Sequence, residues 1–136
     1  MPFRSRSFNI AVCTEVIEHV PNDVLLLREI YRILDKGFLI LTTPNLYTFE
    51  AIFRKFVLRK EVKINVLDHL REYSWKELAL KVRKAGFNIL NFSSIGFYIP
   101  CKTLFFKSRL LTRILFSLQR LFPKLGRVFV ILAEAM

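Results

Sequence analysis

Residues 8–19, FNIAVCTEVIEH, constrain this chain more than any other stretch. The apolar run at 10–13 stops abruptly at two carboxylates and a histidine, Glu15, Glu18 and His19. A short apolar run bounded in this way reads as a strand buried on both faces. The polar cluster then sits at the strand's carboxyl end, which is where open α/β sheets bind ligands. Downstream, Asn22 reads as a helix cap and Asp23 as a favourable first-turn charge. Leu26, Leu27, Ile30, Tyr31 and Leu34 recur at helical spacing and mark a buried face, and Gly37 reads as the glycine that ends the helix. Residues 38–43 form a second apolar strand, stopped by Pro44 and Asn45. Strand, helix and strand in this order make a parallel, right-handed βαβ unit.

The second half is less regular. Phe49, Ile52, Phe53, Phe56 and Val57 have helical spacing with Arg54, Lys55, Arg59 and Lys60 between them, which predicts an amphipathic helix or lid within 46–66. Ser74 and Glu77 form a capping box for a helix through Leu78, Val82 and Ala85, ending at Gly86. Residues 87–98 read as a strand region bent at Gly96, and 127–133 as a last strand. Between them, 102–124 is a basic amphipathic helix. Leu104, Leu110, Leu111, Ile114, Leu115, Leu118, Leu121 and Phe122 fall on one arc, with Lys102, Arg109, Arg113, Arg120 and Lys124 roughly opposite. No acidic residue occurs from Leu78 to Ala133.

A chain of 136 residues is one domain by default. With 53% hydrophobic residues it is not a disordered segment. A net charge of +11 points to an anionic partner: nucleic acid, a phosphorylated substrate or an acidic membrane surface. Cys13 and Cys101 lie far apart and lack metal-binding spacing, so Cys13 reads as a buried, reduced thiol in a cytoplasmic protein. There is no apolar leader at 1–9 and no uncharged stretch long enough to span a bilayer.

Several phrases, in their order, resemble the middle and end of class I S-adenosylmethionine-dependent methyltransferases. These are Pro2-Phe3, residues 8–12, Glu15 through Pro21, Arg32 through Gly37, Thr43-Pro44-Asn45, and His69 through Ser74 to Gly86-Phe87. The resemblance implies an α/β fold: a partial Rossmann-like sheet made of strands 4 to 7 of the family, in the order fourth, fifth, seventh, sixth, with an antiparallel final strand. The whole chain, 1–136, reads as a truncated methyltransferase-like domain, and Met1 as an internal codon of a longer frame. The family's glycine-rich cofactor loop and its ribose-binding acidic residue have no counterpart here. Asn9 stands where the family usually has Asp, and Phe38 where it has a second glycine.

What the resemblance implies for the site is specific. Cys13, Thr14, Glu15 and Val16 match the stretch lining the methionine end of S-adenosylmethionine. His19 is the candidate general base, with helix capping as its alternative. Glu15, Glu18 and His19 resemble the E-x-x-E-H metal set of some O-methyltransferases, and on one helical turn they would share a face suited to a divalent metal such as Mg. Asn45 and His69 are the candidate substrate contacts. The acceptor is expected to be the oxygen of a small or lipid-linked molecule. The basic helix either packs as core with a solvated stripe or lies peripherally on an anionic membrane; nucleic acid is the least favoured partner, for lack of a base-stacking set. The rival reading is a non-catalytic remnant that pairs with a separate amino-terminal half. In either case the edge of the strand at 8–13 is exposed to a partner chain or to self-association.

Overall fold

The computed structural model describes residues 1–48, 70–96, 113, 117 and 122–136. The expected helices at 46–66 and 102–124, His69 and Cys101 fall wholly or largely outside these residues.

Six elements follow one another: β1 (Phe8–Thr14), α1 (Asp23–Ile33), β2 (Leu34–Pro44), α2 (Trp75–Lys84), β3 (Phe87–Ile95) and β4 (Val128–Ala135). They form a four-stranded sheet in the order β1-β2-β4-β3. β1 and β2 are parallel, and β4 runs antiparallel to both β2 and β3. This is the expected mixed α/β sheet, in the expected strand order.

The helices start where local chemistry dictates. Asn22 caps α1 by accepting the Leu25 N–H at 2.9 Å, and Ser74 caps α2 by accepting the Glu77 N–H at 3.3 Å. Such side chains satisfy amides that have no intrahelical partner. Leu27, Ile30 and Ile33 of α1, and Leu78, Ala79 and Val82 of α2, face the core. Their cluster includes Leu39, Leu41, Phe129, Ile131 and Ala133 on the sheet. Tyr31 stands edge-on to Phe87, and Phe92 to Phe129.

Two readings of the sequence are corrected. Gly37 does not end α1. The helix stops at Ile33, Leu34 is already extended, and Gly37 lies inside β2. A Cβ on Gly37 would stand 2.3 Å from the Asn9 carbonyl oxygen, so this glycine serves the close approach of β1 and β2. Nor is β1 buried on both faces. Cys13 is buried, but Ile10 is 61% and Val12 64% exposed. β1 stands at the end of the strand order, and the side chains of β1 and β2 that join the helix-bearing core lie on one face of the sheet.

Candidate functional site

The loop after β1 begins with a turn unusual for its residue type. Glu15 has φ 51°, left-handed for a side chain that rarely adopts it. Its N–H donates to the Thr42 carbonyl at 3.1 Å, and its carboxylate accepts from the Thr42 hydroxyl at 3.1 Å. Residues 16–19 then close a turn, with the His19 N–H donating to the Val16 carbonyl at 3.0 Å. Thr14, Glu15, Val16 and His19 are exposed at the strand's carboxyl end, whereas Ile17 and Glu18 turn inward and are fully buried.

Glu18 is the singular residue of this loop. One carboxylate oxygen accepts from the Thr43 hydroxyl at 3.0 Å. The other, Oε1, is buried with no hydrogen-bond partner among the described residues. Buried polar atoms are rarely left so. The Cys13 thiol is pushed up to about 11, first by burial and then by the nearby Glu18 charge. That thiol is inert as a nucleophile at neutral pH.

These hydrogen bonds give the metal expectation no support. Thr42 and Thr43 are consecutive in β2, so their side chains leave opposite faces of the sheet. Glu15 follows the first and Glu18 the second. The segment is a non-helical turn entered through a left-handed residue, and the expected single helical face is absent. Among the described residues no three His, Cys, Asp or Glu side chains are grouped to hold a metal ion.

The loop is clamped from beneath by residues that sequence reading missed. Asp23 Oδ2 accepts from the Tyr73 hydroxyl at 2.9 Å and from Lys81 Nζ at 2.6 Å, and pairs with Arg71 at 3.0 Å. The Tyr73 hydroxyl also reaches the Ile17 carbonyl at 3.2 Å. Arg71 donates to the Pro21 carbonyl at 2.7 Å, and the Leu70 N–H to that of Glu18 at 3.0 Å. Burial alone would push the Asp23 carboxyl up. Hydrogen bonds from Lys81 and Tyr73, the Lys81 charge and Arg71 outweigh it and hold the group below its ordinary value. The Tyr73 phenol is raised well above its usual range, by burial first and then by its bond to Asp23 and the charge there. The only sequence hint was Asp23 in a helix's first turn.

Tyr73 also joins this loop to the end of β2, bridging Asn45 and accepting the Leu46 N–H at 3.1 Å. Asn45 itself is buried. Its amide nitrogen donates to the carbonyls of Tyr47, Lys124 and Gly126, and its oxygen accepts the Tyr47 N–H. The side chain of this candidate substrate contact is thus engaged with backbone, tying the end of β2 to the start of β4. His69 lies outside the described residues.

Residues 2–91 match the family described as the Methyltransferase domain. The chain belongs to that family. The solved structures similar to this methyltransferase-domain chain agree in fold. An S-adenosylmethionine-dependent methyltransferase from Thermotoga maritima, described as a possible histamine N-methyltransferase, superposes with a TM-score of 0.64 at 24% identity. The match covers 100% of this chain and 60% of that one. A methyltransferase from Haloferax volcanii, solved with a methyltransferase activator, gives 0.63 at 19% identity over 99% of this chain and 57% of its own. One from Bacillus halodurans gives 0.61 at 20% identity, covering 99% and 73%. The chain therefore spans about 60% of the length of the first two. No curated protein matches it.

For the family's cofactor the residues fit on one side only. After the buried Cys13 the strand ends in two exposed polar residues, Thr14 and Glu15, in a loop that also holds the Glu18 oxygen left without a partner among the described residues. No glycine cradle faces them. Gly37 is packed between strands, Gly86 lies under the Tyr31 ring, and Gly126 is against Ser94.

Proposed function

We propose that this methyltransferase-domain chain takes part in S-adenosylmethionine-dependent methyl transfer to an oxygen of a small or lipid-linked acceptor. The observation that carries this reading is the family match over 2–91, which spans the β1 loop whose exposed polar residues end the strand. When bound, the cofactor supplies an electrophilic methyl group on a sulfonium. Thr14, Glu15 and Val16, with the backbone after Cys13, hold its methionine end. The Glu15 carboxylate, held by Thr42, would offer a negative charge to the cofactor's ammonium. His19 is exposed in the same turn and accepts the acceptor's hydroxyl proton, a role worth roughly 10²–10⁴ in rate. The basic segment 102–124 brings the chain to anionic membranes, by surface charge attraction. Among the described residues no helix is long and apolar enough to cross a membrane.

With only one side of the cofactor site built, binding to this chain alone is weak. Amide NMR of the purified chain titrated with S-adenosylmethionine tests the reading. Shifts confined to Thr14, Glu15, Val16 and their neighbours at millimolar cofactor support it, as does labelled-methyl transfer to phenolic or quinol acceptors that His19→Ala removes. No shift at the β1 loop and no transfer would leave the second reading, a non-catalytic partner of a separate amino-terminal half. The 60% span and the missing glycine cradle favour that reading.

A further inference from the structure

No described strand lies beyond β1. The Glu15 N–H points at β2, where it meets the Thr42 carbonyl. Backbone direction alternates along a strand, so Ala11 and Cys13 also aim their polar groups at β2. Ile10, Val12 and Thr14 aim theirs outward. The Ile10 and Val12 side chains are among the most exposed large apolar groups of the chain. An uncharged strand whose outer ladder has no partner strand among the described residues is a template for another strand.

The charges at the two ends of β1 say which strand fits. Arg4 and Arg6 are exposed before its amino end, and Glu15 is exposed after its carboxyl end. Nothing between them is charged. A second copy running antiparallel brings each copy's arginines toward the other's glutamate. A parallel copy would set like charges together. In the antiparallel arrangement Ile10 and Val12 also meet their counterparts as cross-strand neighbours. A two-fold axis closes this contact after two copies and consumes both edges.

We propose that two copies of this chain associate through antiparallel pairing of their β1 edges, joining two four-stranded sheets into one. The inference is independent of methyl transfer. Each copy carries a net +11, so the copies repel at long range and salt favours the pair. A few exposed Arg–Glu contacts are too weak to reverse that sign.

Size exclusion with light scattering on the full chain, at tens of micromolar, reads the result. The expected species is a discrete dimer that strengthens several-fold as salt rises. Val12→Lys weakens it by roughly tenfold or more, through like charges on the shared ladder. Ile10→Lys repeats the test at a second exposed position, and far-UV circular dichroism checks that both variants are folded. Ile40→Lys, on the same face but one strand inward, keeps the dimer. On dimerisation, hydrogen exchange slows at the amides of Ile10, Val12 and Thr14 and stays unchanged at Ala11 and Cys13. A monomer at these concentrations overturns the proposal. So does a dimer that survives both edge variants, one that Ile40→Lys dissolves, or one that salt dissociates.

Discussion

The two faces of the sheet carry similar residues and live in different surroundings. Leu39, Leu41, Ile131 and Ala133 are fully buried under α1 and α2. Their immediate neighbours Phe38, Ile40 and Leu132 are 41%, 37% and 36% exposed. Phe38 and Ile40 continue across the ladder to Ile10 and Val12 on β1, and Ile40 to Leu132 on β4. One face is the core of a domain. The other is an apolar surface larger than scattered exposure explains. Apolar character marks residues that gain from burial; a second layer of structure decides whether they obtain it.

The largest effect that tests this contrast is Leu41→Ala. Leu41 is paired between Cys13 and Ile131 in the middle of the covered face. Truncation there leaves a cavity that packed neighbours cannot close, at a cost of about 2–5 kcal/mol. Urea unfolding monitored by circular dichroism measures it. A cost below that range would mean that the covered face is loosely packed and that the contrast is one of degree.

Next in size is the clamp that holds the helix layer over that face. Asp23→Asn keeps the shape but weakens the bonds to Lys81, Arg71 and Tyr73, at roughly 1.5–3 kcal/mol for hydrogen bonds to a charged group. The pH dependence has a definite sign. The folded-state Asp23 pKa is lowered, so its contribution is present above the unfolded pKa and is lost as pH falls through the folded one. The gap between wild type and Asp23→Asn should therefore be constant near neutrality and close in acid. Thermal unfolding from neutral pH into the acid range checks this. A gap unchanged in acid would show that the amide is misfitted sterically and that charge is not what the clamp uses.

Much of this was legible in the sequence, for reasons that differ by element. Asn22 and Ser74 announced their helices because capping is a local act. The strand order followed from the family phrases. The burial of β1 did not, because a continuous apolar run at 10–13 looks the same whether helices lie on one face or two. Gly37 was misread because a glycine after a helix and a glycine at a close strand crossing look alike in one dimension. The supposed metal set finds no support, and a single torsion is the reason. The left-handed Glu15 sends two carboxylates, three residues apart in sequence, to opposite sides of β2. The clamp was invisible because Asp23 meets Tyr73 and Lys81 at separations of 50 and 58 residues, where no spacing rule operates.

The smallest expected effect is the most searching for the contrast between the faces. Ile40→Thr keeps a β-branched residue in β2, so strand propensity and rotamer freedom barely change. Ile40 lies between Val12 and Leu132 on the open face, one residue from Leu41, and is already 37% exposed. The substitution therefore removes little apolar area that folding had taken from water, and its hydroxyl can be solvated where it stands. Stability should move by no more than about 0.5 kcal/mol, as for ordinary surface positions. Urea midpoints of the variant and of Leu41→Ala, measured side by side, give the contrast as one number. If Ile40→Thr costs as much as Leu41→Ala, the open face is covered in solution by something that excludes water from it. If it costs nothing, and the protein becomes more soluble, β2 separates a core from an unclaimed surface at consecutive residues of one strand.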